Sequence, residues 1–305
     1  MALASAFTTE FSSGAGSRGY RLPPSTHVGR VRLAVSDLGR SIDFYSRVIG
    51  LAVLELDGKL ARLGAQGSDR VLLELDELPG VRSVAERSRL GLYHPAFLLP
   101  SREDLSSFVR HLATLRVGFG AGDHGVSEAL YLVDPDGLEV EVYADRPRAQ
   151  WSFADGQLRM GAQAVRFDQL PKVADNNWKG APVGTTVGHV HFYVGDLQAA
   201  ADFYCSGLGL DVMMRIPSAL FISAGGYHHH VGLNVWAAGS PVASEGDARL
   251  LYWELVLPDA VEIGRVAESL KKAGYAESSS AGGARSFVDD DGITVALIAE
   301  RGSTM

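Results

Sequence analysis

The stretch THVGRVRLAVSDLGRSIDFYSRVIGLAVLE at 26–55 recurs at 185–214 as TTVGHVHFYVGDLQAAADFYCSGLGLDVMM, at a constant offset. Thr26, Val28, Gly29, Val35, Asp37, Leu38, Asp43, Phe44, Tyr45, Gly50, Leu51 and Val53 meet identical residues in the second copy. A chain that repeats itself in this way is built from duplicated units, each of which must bury its apolar face against a neighbour.

Within each copy, apolar residues alternate up to Asp37 or Asp196, the period of a strand with one buried face. Each Asp then reads as a helix N-cap. Leu38, Ile42, Tyr45 and Ile49, or Leu197, Ala201, Tyr204 and Leu208, follow at helical spacing, and Gly50 or Gly209 ends the helix. A fainter pair obeys the same grammar: 92–118 and 250–275 each give strand, Pro, helix and further strands, and VDPDGLEVEVY at 133–143 corresponds to VDDDGITVALI at 288–298. The chain therefore divides into four tandem β-α-β-β-β modules, at 27–80, 90–147, 185–240 and 248–300. The fold class expected is α+β, with two cupped mixed β-sheets. Modules one and two make a unit at 26–147, modules three and four one at 185–305, and residues 148–184 a connection without clear period that packs on the surface. Residues 1–25, rich in Ala, Ser and Gly, lack the basic start of a signal peptide and are expected to form a loosely held arm.

Composition narrows the partners. With 28 Lys+Arg against 36 Asp+Glu, the formal charge is −8, and no stretch gathers the cations that would track a phosphate backbone, so nucleic acid is not an expected partner. No apolar run reaches the roughly 18–20 residues that cross a bilayer, and no membrane partner is expected. The single cysteine, Cys205, makes no intramolecular disulfide, which fits a reducing cytoplasm. The oligomeric state is left open, a homo-oligomer included.

Tandem modules of this kind, with a DLxxxxxFYxxxxGL helix, resemble the vicinal oxygen chelate superfamily, and the resemblance covers nearly the whole chain after residue 26. It implies paired modules that cup one metal ion, with ligands from the first and last strands. The family includes glyoxalases, antibiotic-resistance proteins, epimerases and extradiol ring-cleaving dioxygenases, so the fold does not choose the chemistry.

The stretch GDHGVSEALYLVDPDGLEVE at 122–141 is more selective. Asp-Pro-Asp-Gly makes a tight turn and launches a strand on which Glu139 and Glu141 share a face. The stretch resembles the extradiol dioxygenase signature, with Gly122, His124, Leu130, Tyr131, Asp134, Pro135, Gly137 and Glu141 in its slots. By this resemblance Glu141 is a metal ligand, and Tyr131 and His124 are hydrogen-bonding groups beside it. His94, in LYHPAFLL, and His189, in VGHVHFYVGDL, occupy the first-strand positions where the family places its other ligands; His191 is left to a pocket or buffering role. GGYHHHVGLNVW at 225–236 resembles the segment that carries an acid/base histidine. Extended backbone would turn either His229 alone or His228 with His230 inward, and the family pattern prefers His230, with His229 the competing choice.

Modules one and four lack these groups: Arg30 and Tyr252 stand at their first strands, and Ala296 where module two has Glu141. The cup is therefore expected to pair modules two and three. Two imidazoles and one carboxylate leave a site of net charge +1 with three open positions, the arrangement suited to non-haem Fe(II), with Mn(II) able to use the same ligands. The implied activity is Fe(II)-dependent extradiol cleavage of a catechol-type aromatic diol by O2. The alternatives are a glyoxalase-like isomerase or lyase, or a non-catalytic protein binding a small aromatic or antibiotic.

Overall fold

The computed structural model of the chain describes residues 19–174, 178–278 and 284–300. Most of the proposed arm therefore lies outside the described residues. The part inside is held in place: the Leu22 backbone N–H donates to the Gly209 carbonyl at 3.0 Å, the Leu22 side chain is buried, and the Tyr20 hydroxyl donates to Glu262 at 2.7 Å.

The first module runs as strand β1 (His27–Val35), helix α1 (Leu38–Asp43) and strands β2 (Ala52–Asp57), β3 (Leu60–Gly64) and β4 (Val71–Glu77). The second gives β5 (Gly91–Leu98), α2 (Arg102–Leu115), β6 (Gly120–Asp123), β7 (Ser127–Val133) and β8 (Glu139–Asp145). Two short strands, β9 (Phe153–Ala154) and β10 (Gln157–Leu158), interrupt the connection. The third module has β11 (Thr186–Tyr193), α3 (Leu197–Ala201), β12 (Asp211–Ile216), β13 (Ala219–Ser223) and β14 (Val231–Asn234). The fourth has β15 (Arg249–Leu257), α4 (Ala260–Lys272), β16 (Glu277–Ser278), β17 (Arg285–Val288) and β18 (Thr294–Ala299).

Each repeated helix begins where an aspartate satisfies its free N–H groups. Asp37 accepts from the Arg40 amide, and Asp196 from those of Gln198 and Ala199. The helix does not stay α-helical over its whole apolar stripe. Residues Phe44–Ile49 and Asp202–Gly207 widen to a π-helix where the Phe-Tyr pair enters the core, and Gly50 and Gly209 follow at φ 92° and 91°. Tyr45 then reaches out of its module to donate to Asp134 at 3.1 Å, and Tyr204 does the same to Asp289 at 3.0 Å. Each Asp opens the tight turn of the following module, with its other oxygen accepting two backbone N–H groups of that turn.

The strands form two eight-stranded mixed sheets, in the orders β16-β17-β18-β15-β1-β4-β3-β2 and β12-β13-β14-β11-β5-β8-β7-β6. Each sheet takes one module from either half of the chain, modules one and four or modules two and three, joined by an antiparallel seam, β1 on β15 or β5 on β11. The sheets share one apolar core, in which Phe192 of β11 meets Trp253 of β15. Among the described residues no helix is long and apolar enough to cross a membrane.

The connection does more than cover a surface. Trp151 and Leu158 bury against Val126 and Tyr227 as a satellite core, and backbone bonds between Asp123 and Gln163 tie the segment to β6. This places Met160, Gly161 and Ala162 against the second sheet's inner face, where they line a cavity.

Candidate metal centre

The pleat of the second sheet builds the site. Ala96 on β5 stands opposite Glu141 on β8 and His189 on β11, so three residues lie abreast on adjacent strands; His94, two residues before Ala96, projects from the same face. The small Ala96 methyl leaves the middle of the row open. Gly188 admits the Tyr143 ring beside His189, because a Cβ there would collide with the Tyr143 hydroxyl.

His94, Glu141 and His189 each offer a ligand atom within 4.8 Å of the others, and all three are buried. Nε2 of His94 and Nε2 of His189 lie 3.1 and 3.2 Å from one oxygen, Oε2 of Glu141. His94 Nδ1 donates to Glu139 at 2.9 Å, which leaves Nε2 of the neutral ring as a lone pair. That Nε2 and His189 Nδ1 are buried without a hydrogen-bond partner among the described residues. Facing the Glu141 oxygen in a buried site, His94 Nε2 needs a positive charge beside it, either a proton on its own ring or a cation between the two. Two nitrogens, one oxygen and a carboxylate orienting the first imidazole from behind are the donor set of a divalent metal site, so the residues fit one.

The charges of the three residues are coupled. Burial disfavours a charged His94, but the Glu139 and Glu141 carboxylates outweigh it and raise its pKa to about 9. Burial pulls His189 down to about 4, an effect the Glu141 carboxylate only partly offsets. Glu141 is held well below the usual carboxylate range despite its burial, by the charges and hydrogen bonds of His189 and His94.

The other anticipated residues divide. His124 and Tyr131 come together: His124 Nδ1 donates to the Gly161 carbonyl at 2.6 Å, so its Nε2 accepts the Tyr131 hydroxyl at 2.7 Å. Both rings line the cavity with His94 and Glu141. Burial raises the Tyr131 hydroxyl well above its ordinary pKa, keeping it a donor. His191 also lines the cavity, and its Nε2 accepts from the Asn234 amide at 3.1 Å.

His229 and His230 separate. The segment before β14 is not extended, so the strict alternation of faces does not apply. His229 lines the cavity, with its ring centroid 4.1 Å from that of His189. His230 is absent from the lining; its Nδ1 accepts the Ala224 amide at 3.2 Å. The preference for His230 is thus corrected by the position of its ring. Behind His229, His228 donates from Nε2 to Asp145 at 3.0 Å, and its Nδ1 lies 2.7 Å from Nδ1 of His229. This order leaves Nε2 of His229 free as an acceptor. Burial holds the His229 pKa well below the ordinary histidine value.

The cavity itself, about 390 Å³, draws Met160 and Ala162 from the connection, Met214 and Ile216 from β12, Phe221 from β13 and Trp236 from the turn after β14. None of these carried a signal in the sequence: an aperiodic connection and ordinary strand residues do not announce which cavity they face. Glu139 was visible as the companion of Glu141 on one strand face, though not as the partner of His94.

The first sheet offers a contrast at the corresponding positions. Glu254 stands opposite Ala296, and the Arg30 guanidinium donates to Glu254 at 2.6 Å and to Glu74 at 2.9 Å. The Tyr252 hydroxyl completes the group by donating to Glu74 at 3.0 Å. A fixed organic cation thus occupies the position where the second sheet gathers ligands.

Comparisons with known proteins place the chain. The profile of the Glyoxalase/Bleomycin resistance protein/Dioxygenase superfamily matches residues 27–142 and 186–297. A catechol-2,3-dioxygenase of Bacillus subtilis (strain 168) is 44% identical over 255 residues, covering 82% of this chain and 89% of the relative. Glyoxalase domain-containing protein 4 of Mus musculus is 31% identical over 43% of this chain and 45% of its own length. The crystal structure of glyoxalase I from Zea mays, 18% identical, superposes with a TM-score of 0.53 over 90% of this chain and 92% of that one, a likeness of fold. With four repeated modules, a matching profile over both halves and a relative aligned along most of its length, the chain belongs to the glyoxalase, bleomycin resistance protein and dioxygenase superfamily.

Proposed function

We propose that this protein is an extradiol dioxygenase that opens the aromatic ring of a catechol-type diol with O2, using Fe(II) held by His94, Glu141 and His189. The carrying observation is the convergence of two imidazole nitrogens on one buried carboxylate oxygen at the wall of a partly open cavity. The 44% identity to a catechol-2,3-dioxygenase supports the reaction class. Bound there, Fe(II) supplies open positions for a vicinal diol and dioxygen together.

The chain's own groups supply the proton handling. His229 begins neutral because burial disfavours its charge, and its Nε2 faces the cavity ready to accept a diol proton. The Asp145–His228 pair fixes the tautomer that leaves Nε2 available. Across the cavity, Tyr131 holds its proton toward His124 and presents its hydroxyl oxygen to the substrate's side. The apolar walls exclude water, which strengthens each of these interactions. A glyoxalase-like isomerase would be supported by a carboxylate-rich ligand set, whereas this cluster offers one carboxylate, with Glu139 engaged by His94 Nδ1.

The test is to load the protein with Fe(II) under anaerobic conditions, add catechol and then admit oxygen. A yellow ring-opened product is expected, absent when the metal is chelated. Iron-loaded protein that gives none across catechols and hydroquinones overturns the proposal. We also place the enzyme in a reducing compartment, a reading supported by its single cysteine, whose thiol is pushed up to about 12 by burial.

A further inference from the structure

The lining of the cavity divides by chemistry. One side carries His94, Glu141 and the hydrogen-bonding rings of His124, Tyr131, His191 and His229, with Phe221 and Trp236 packed against the His191 ring; the remaining side is carbon, from Met160, Ala162, Met214 and Ile216. Among the described lining residues there is no lysine, arginine or aspartate. Two arginines near the connection do not alter this. Arg146 and Arg159 line an adjoining depression that shares His124, Met160 and Gly161 with the cavity, but are absent from the cavity's own lining, and Arg146 is committed to Asp123 and Glu128. The volume, about 390 Å³, lies within the roughly 300–1,000 Å³ of sites that enclose small ligands, and bare catechol leaves part of it empty.

We propose that this pocket selects catechols whose ring substituent is uncharged and apolar, and that Met160, Met214 and Ile216 are the residues that read the substituent. The inference rests on the site being an extradiol centre. A diol gripped at the polar side turns the far edge of its ring toward carbon. An alkyl or aryl group there displaces water from apolar surface, which is favourable. A carboxylate there would lose its hydration and meet no cation, which is strongly unfavourable. Met160 and Met214, unbranched and polarizable, can repack around substituents of different shape.

The experiment compares kcat/KM of the Fe(II)-loaded enzyme for 3- and 4-methylcatechol with that for protocatechuate and 3,4-dihydroxyphenylacetate, alongside anaerobic calorimetric titration of the same ligands. The methylcatechols are expected to be favoured by about 100-fold or more in kcat/KM, with a matching order of binding. Met160→Arg and Ile216→Arg, each adding a cation to the carbon side, should narrow the ratio by about tenfold, while Met160→Leu should leave it in place. Carboxylated catechols turned over or bound as well as the methylated ones would overturn the inference while leaving the dioxygenase reading intact. Turnover of no catechol at all would overturn the dioxygenase reading, and the inference with it.

Discussion

Nδ1 of His94 lies 2.9 Å from Oε1 of Glu139, a residue whose neighbour two places along the same strand, Glu141, faces the other nitrogen of that ring. One strand therefore grips one imidazole from both ends. Replacing Glu139 with Leu removes the group that fixes the tautomer and leaves the ligand set untouched. Affinity for Fe(II) or Mn(II), measured by competition with a chelator, should weaken by about 10–100-fold with the circular dichroism spectrum unchanged. Undiminished affinity would show that the carboxylate does not orient the ligand.

The neighbouring histidines His229 and His230 should behave differently. His229→Gln is expected to lower kcat by about 10²–10⁴-fold, the usual contribution of a positioned acid or base, with KM changed little. His230→Gln removes a ring that accepts a backbone amide away from the cavity, so its effect should fall on thermal stability. Steady-state kinetics with a shared substrate and a melting curve for each variant distinguish the two; equal losses of kcat would contradict the assignment.

Arg30 is the cation between Glu74 and Glu254 in the first sheet. Its side chain is 23% exposed and its partners are 3% and 9% exposed, so Arg30→Met leaves Glu254 buried without a cation, while Glu74 keeps Arg62 at 3.1 Å. The loss should be roughly 2–4 kcal/mol, somewhat below that for a fully enclosed pair. Adding Glu254→Leu to Arg30→Met should recover part of it, since a buried ion pair replaced on both sides by apolar groups costs little. Denaturant titration of the single and double variants measures both numbers, and a double variant weaker than the single would refute the account.

Two buried turn aspartates set a pH dependence. Burial raises Asp289 to about 7 and Asp134 to about 6, each above the unfolded value near 3.9. A carboxyl whose folded pKa is raised stabilises the fold fully below its unfolded pKa and loses that stabilisation as pH climbs through the folded one. The melting temperature should therefore decline between about pH 4 and 7 and level off above that. Asp289→Asn stays neutral throughout, and should flatten the decline by an amount worth roughly 1–3 kcal/mol. A variant as pH-dependent as the parent would locate the effect elsewhere.

Local features of the fold were legible because they obey local rules. Asp37 and Asp196 cap helices by bonds spanning two or three residues, and Gly50 and Gly209 end them because the backbone there turns left-handed. The strand positions of His94, Glu141 and His189 followed from a repeat and a motif. What was not legible depends on segments meeting in space. The bond from Tyr45 to Asp134, and the Gly161 carbonyl that sets the His124 tautomer, join residues 89 and 37 positions apart. In the His228–His230 run the spacing left His229 alone or His228 with His230 open, and the preference for His230 came from the family pattern; the run lies before β14, which begins only at Val231.

Because each sheet is stitched from both halves of the chain, the connection between those halves carries little of the burden of keeping them together. Proteolysis there would leave two fragments clasped by the seams β1 on β15 and β5 on β11. Separated, neither fragment would hold a full ligand set, since one keeps His94 and Glu141 and the other His189. Covalent continuity in this enzyme secures stoichiometry and proximity, while the site itself belongs to the association.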